Sequence, residues 1–181
     1  RALLFREHGL IVDNVALVKR SGVPRMVIPI AAVLSNCLHL FVQLALLLTL
    51  TVAFGKGITV HWLWVPVLWG LFVVFLCGIG TLFAAIDVYV RDTRYVVESV
   101  NTVLMWLVPI FYPFEMVSQN YRYVYELNPV AALVLAMRNI LLEGRAPLTS
   151  TLWKLSAVAI VTWAVGYVVF KRLEARFYDY L

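Results

Sequence analysis

The chain has 181 residues, of which 63% are hydrophobic and 14% charged, with a mean hydropathy of +0.89; soluble domains average about 45–50% apolar and about 25% charged. Too few polar residues are present to coat a soluble core of this length, so the second solvent is lipid and most soluble enzymes are excluded. The net charge of +5 comes with no basic stripe and no nucleic-acid-binding motif, which leaves membrane orientation to explain the excess and gives no reason to expect nucleic acid as a partner.

The chain begins with Arg1, and no signal pattern precedes the first apolar run, so it is expected to be a fragment. Residues 1–26 form a cytoplasmic segment. Asp13 or Asn14 caps a short helix there, Lys19 and Arg20 suit its last turn, and Gly22 with Pro24 ends it. Two readings remain for that helix: an amphipathic anchor on anionic lipid, or a docking element for a cytoplasmic partner.

Residues 27–54 and 57–86 are runs long enough to cross a hydrocarbon core of about 30 Å. The first is the most polar span: Asn36, His39 and Gln43 follow at three- and four-residue steps and share one helix face. Such a face turns towards protein or water, either as interhelical hydrogen-bonding glue or as the wall of a translocation path. Cys37 and Cys77 lie inside apolar runs and read as core residues. At the end of the second span stands the run Asp87, Arg91, Asp92 and Arg94, followed by Glu98. The four-residue steps Asp87–Arg91 and Arg94–Glu98 predict ion pairs on a continuing helix, in either a solvated junction or an inner gate.

A third span is expected over 96–113, broken by Pro109 and Pro113, and a fourth over 152–170. Between them, 114–148 is an outer re-entrant or interfacial segment. Within it Val130, Leu133, Val134, Met137, Ile140 and Leu141 make an apolar helical face, with Asn128 and Pro129 as its start and Gly144 with Pro147 as its stop. The tail is 171–181. Ten Lys and Arg flank one side and five the other, so both ends of this fragment are placed in the cytoplasm. Most of the Trp and Tyr residues fall near the expected interfaces, where such rings anchor helices. The fold class is therefore all-α, a polytopic membrane helix bundle of about four spans with a re-entrant outer segment.

Chemistry is sparse. Gly55-Lys56 lacks the glycine loop and the following Ser or Thr of a phosphate-binding site, His8, His39 and His61 are far apart, and no carboxylate pair lies within a span. No catalytic residue, metal site or bound cofactor is expected, and energy must come from elsewhere.

Several stretches in fixed order resemble the permease subunit of type-2 ABC exporters, and within that family those exporting O-antigen, teichoic acid or capsular polysaccharide. They are Asn14-x-x-Leu17-Val-Lys19-Arg20 with Pro24-Arg25, Val88-Tyr-Val-Arg91-Asp92-Thr-Arg94, Pro109-Ile-Phe-Tyr112-Pro113, Leu127-Asn128-Pro129 and Phe170-Lys-Arg-Leu-Glu174. The resemblance implies a six-span bacterial inner-membrane subunit, here lacking its first two spans, that pairs with a second copy and with a cytoplasmic ATP-binding cassette subunit carrying ATP and Mg. It implies that Asn14, Leu17, Lys19, Arg20, Pro24 and Arg25 couple to the ATPase, that Asp87, Arg91, Asp92 and Arg94 lie at the cytoplasmic mouth, and that Pro109, Tyr112, Pro113, Asn128 and Pro129 belong to an outer gate. A lipid-linked glycan as cargo also comes from the resemblance. Two other functions remain open: an exporter of the same build for a drug, lipid or small molecule, and a membrane-embedded enzyme acting on lipid-linked sugars.

Overall fold

A computed structural model describes residues 25–90, 92–108, 128–175 and 177. Among them the regular structure is all helical, with no strand: α1 is Val27–Ala53, a 3-10 turn at Val60–Leu63 leads into α2, Trp64–Asp87, and then come α3, Thr93–Leu107, α4, Pro129–Leu141, and α5, Thr149–Glu174. Among the described residues three helical stretches are long and apolar enough to cross a membrane, Val27–Ala53, Val60–Asp87 and Thr149–Glu174. The expected third span overlaps α3, while 109–113 lies outside the described residues.

The helix ends have local causes. Gly55 adopts φ +79° just after α1, and Thr59 is extended at the cap of the 3-10 turn, so helix resumes at Val60 instead of near 57. Asn128 caps α4 with its side chain accepting from Val130 N–H at 3.0 Å, Pro129 takes the first helical position, and Gly144 follows the end at φ +63°. These are the start and stop residues whose backbone preferences suit those positions. α5 begins at Thr149, three residues ahead of the expected boundary.

Burial follows stripes. On α5 the buried residues Thr151, Leu155, Ala159, Gly166 and Phe170 recur at helical steps, while Trp153, Ile160, Val161, Trp163, Val165, Tyr167 and Val168 are exposed. A helix apolar on its outer faces as well as its packed one needs an apolar surround, which lipid supplies. α1 behaves the same way, burying Val33, Asn36 and Cys37 and exposing Leu34, Leu38, Phe41 and Val42. Both cysteines are buried.

The chain divides into two compact units. The first takes in the described residues within Arg1–Leu38, Val73–Thr102 and Ile160–Leu181. Its core is Ala84, Ala85, Val88, Phe170 and Phe177, with Met26, Ile28, Tyr89 and Leu173 packed against it. The second takes in those within His39–Phe72 and Val103–Ala159, built on Val65, Leu68, Ala136, Ile140, Leu141 and Leu155, with Trp62, Leu44 and Leu48 around them.

Candidate functional site at the end of the last helix

The most constrained polar place in the first unit is the C-terminal end of α5. A helix leaves its last four carbonyls without intrahelical donors, and two of these are taken from distant parts of the chain. Arg25, at the head of α1, donates through Nη1 to the Glu174 carbonyl at 2.9 Å. Tyr89, in the turn after α2, donates its hydroxyl to the Leu173 carbonyl at 2.9 Å. A cation at a helix C-terminus also meets the negative end of the helix dipole. Lys171 and Glu174 add an exposed pair at 3.2 Å along the same turn.

Aromatic packing backs these two hydrogen bonds. Phe177 lies T-shaped on Phe170 with ring centres 5.5 Å apart, and Tyr89 leans on Phe177 at 6.2 Å. Phe170 and Phe177 are fully buried. The Tyr89 ring is thus held by packing while its hydroxyl reaches the helix end, so three segments far apart in sequence share one junction.

The expected inner-gate residues are treated unequally. α2 stops at Asp87, the Tyr89 and Val90 N–H groups both return to the Ile86 carbonyl, and a new helix starts at Thr93. The expectation of a helix continuing past Asp87 is therefore corrected: the chain turns after it, and α3 begins anew at Thr93. Asp87 is 1% exposed whereas Asp92 is exposed, so the acids of this run do not form one solvated cluster. Arg91 lies outside the described residues, as do Asn14, Leu17, Lys19, Arg20 and Pro24 of the expected coupling segment and Pro109, Tyr112 and Pro113 of the expected outer gate. Arg94 falls within α3, and its side chain is outside the description.

On α1, Asn36 is buried and donates to the Ala32 carbonyl at 3.0 Å, while His39 and Gln43 are exposed. In the second unit, Asn128 and Pro129 start α4, whose far end is tied by Lys56 Nζ donating to the Leu142 carbonyl at 3.1 Å. Among the described residues no group of three His, Cys, Asp or Glu residues is placed to hold a metal ion.

Tyr89 and the carbonyls of Leu173 and Glu174 were not singled out from sequence. Tyr89 and Glu174 do stand inside the family-like stretches 88–94 and 170–174, but no spacing rule links two stretches some eighty residues apart.

Residues 13–142 match the family model described as "ABC-2 type transporter". The chain belongs to that family. Among curated proteins this ABC-2 chain is similar to "O-antigen export system permease protein RfbA" of Klebsiella pneumoniae, 24% identical over 173 residues, which cover 94% of this chain and 66% of that protein. It is also similar to the protein of the same description from Myxococcus xanthus, 28% identical over 165 residues, 90% of this chain and 64% of that one. The ABC-2 chain thus spans about two thirds of the length of these curated relatives, and it is a multi-pass membrane protein.

Proposed function

We propose that this chain is the transmembrane permease part of an ABC exporter that moves a lipid-linked polysaccharide, of the O-antigen, teichoic acid or capsule type, outward across the bacterial inner membrane. The observation that carries the reading is the likeness to O-antigen export permeases over nine tenths of the chain, joined to the family match. The chain has no catalytic role in this reading. A separate cytoplasmic ATP-binding cassette subunit, with its ATP and Mg, supplies the energy, and a second copy of the permease completes the path.

In mechanism, the ATPase pushes on the segment Asn14, Leu17, Lys19, Arg20, Pro24 and Arg25, and the helices rearrange so that glycan passes a wall that includes Asn36, His39 and Gln43. Both ends of the fragment lie in the cytoplasm. Asp87, Arg91, Asp92 and Arg94 sit at the cytoplasmic mouth, and Pro109, Tyr112, Pro113, Asn128 and Pro129 belong to the outer gate. The exposure of His39 and Gln43 on an otherwise apolar helix supports a wall role, because lipid disfavours uncovered polar groups.

The test is purification of the intact permease from its native membrane in mild detergent, with companions identified by mass spectrometry. A stoichiometric subunit carrying a Walker-type phosphate loop is the expected result; the permease alone, under conditions that preserve other membrane complexes, overturns the reading. Cargo is read separately, from surface glycan in cells lacking the permease: loss of a lipid-linked polysaccharide is expected, and unaltered glycan with failed export of a small molecule would move the assignment to a drug or lipid exporter.

A further inference from the structure

α5 is held twice within the first unit, and the two holds differ in kind. At its C-terminal end the grip is directional, through Arg25 and Tyr89 on the Glu174 and Leu173 carbonyls. Two turns earlier the grip is steric. A Cβ on Gly78 of α2 would stand 2.6 Å from the Trp163 nitrogen and 2.7 Å from the Thr162 carbonyl carbon. A Cβ on Gly166 would meet the Gly78 carbonyl oxygen and, at 2.7 Å, Thr81 Oγ1. Backbone therefore runs against backbone at this crossing, and Thr81 Oγ1, donating to the Gly78 carbonyl at 3.0 Å, occupies the remaining space.

A crossing without intervening side chains permits rotation about the contact and resists separation, since small residues allow the closest helix approach in a membrane. The eight residues after Gly166, ending at Glu174, make an arm of about 12 Å beyond it. At the tip of that arm sits Arg25, the last residue of the segment expected to receive the ATPase motion.

We infer that the Gly78–Gly166 crossing is a pivot and that Arg25 and Tyr89 are positioning residues that make the C-terminal arm of α5 follow the segment ahead of α1. The inference rests on the permease reading and adds the output side of the coupling. When the ATPase displaces the Asn14–Arg25 segment, the Arg25 guanidinium carries the Glu174 carbonyl with it. The Tyr89 hydroxyl passes the same displacement to the turn after α2. The Tyr89 ring, braced on Phe177, keeps this link short.

The experiment uses the assembled transporter in lipid nanodiscs, with Cys37 and Cys77 replaced by Ala and spin labels at exposed positions of the first unit. One label pair, at Val74 and Arg172, reads the arm; the other, at Val74 and Val165, reads the pivot. Distances are measured without nucleotide and after trapping with ATP and vanadate. The arm pair is expected to shift by about 1–5 Å, between the small helix shifts and the one-turn ratchets of switching proteins, with the pivot pair unmoved. Tyr89→Phe, which keeps the ring and removes the hydroxyl, should at least halve the arm shift. Arg25→Gln combined with Tyr89→Phe should abolish it, and Arg25→Lys, still a cationic donor, should retain part of it.

An arm pair that does not move in the wild type, or that moves equally in Tyr89→Phe, overturns the inference, as does a pivot pair that shifts as far as the arm. Failure of the permease reading looks different: no ATP-binding subunit accompanies the protein, which is seen before any distance is measured and removes the inference with it. Because Tyr89→Phe changes one hydroxyl, the test stands even if the double variant fails to assemble.

Discussion

The two units solve the same packing problem by different means. The first joins three distant segments through directional polar contacts to helix carbonyls, set over an aromatic pair. The second relies on aliphatic interlocking around Leu68, Ile140 and Leu155, and it leaves the buried Thr59 Oγ1, Trp62 Nε1 and Trp69 Nε1 without hydrogen-bond partners. Apolar packing tolerates small slips because it has no preferred direction, whereas hydrogen bonds to specific carbonyls fix which residues meet. The first arrangement suits a place where a displacement has to be passed on; the second suits a body that holds its shape mainly by volume, with Lys56 on the Leu142 carbonyl as an added tie.

The contrast can be broken hardest in the aromatic core. Phe170→Ala should destabilise the protein in detergent by about 3–5 kcal/mol, and hydrogen exchange should rise at 84–88 and 170–174 while 136–141 keeps its protection. Leu68→Ala should cost about 2–5 kcal/mol with the opposite pattern, the faster exchange falling at 136–141. Equal exchange changes in both units would show that they do not open independently. Asn128→Ala removes the side-chain acceptor at the start of α4 and should cost about 1 kcal/mol, read as a lower unfolding midpoint with exchange rising at 130–132. Tyr89→Phe should cost about 0.5–1.5 kcal/mol, a modest loss of stability set against the large loss of nucleotide-driven motion expected above. At the small end, Lys171→Met removes an exposed i,i+3 pair and should alter stability by less than about 0.5 kcal/mol. That would separate the surface pair from the two bonds beside it.

How much of this was legible beforehand follows from the range over which each signal acts. Spans are local properties of composition, so α1, α2 and α5 stand out in the sequence. The start of α4 is equally local: Asn128 supplies the cap and Pro129 the first turn, within two residues of each other. The turn after Asp87 is hidden because four-residue charge spacing says which residues would meet if a helix continued, and nothing about whether it does. The crossing was missed for a related reason. The crossing pairs Gly78 with Gly166 of another helix, and no pattern along a single helix announces such a pair. The junction at Glu174 was hidden most fully, since a backbone carbonyl as acceptor has no residue type by which a sequence could announce it. Of the proposed wall, only the shared face of Asn36, His39 and Gln43 could be read from spacing; the burial of the first and exposure of the other two depend on neighbours.

The first span looks difficult to place in a bilayer, and its hydroxyls and amide show why it is not. Ser35, Asn36, Thr49 and Thr51 each donate to the carbonyl four residues earlier, on Ala31, Ala32, Ala45 and Leu47. Each of these donations is made inside the helix that bears it, so during biosynthesis the segment meets the lateral gate of the insertion machinery with much of its polarity already masked, while His39 and Gln43 are exposed on it. It can therefore partition into lipid as it emerges, before α2 has followed it out to pack against it.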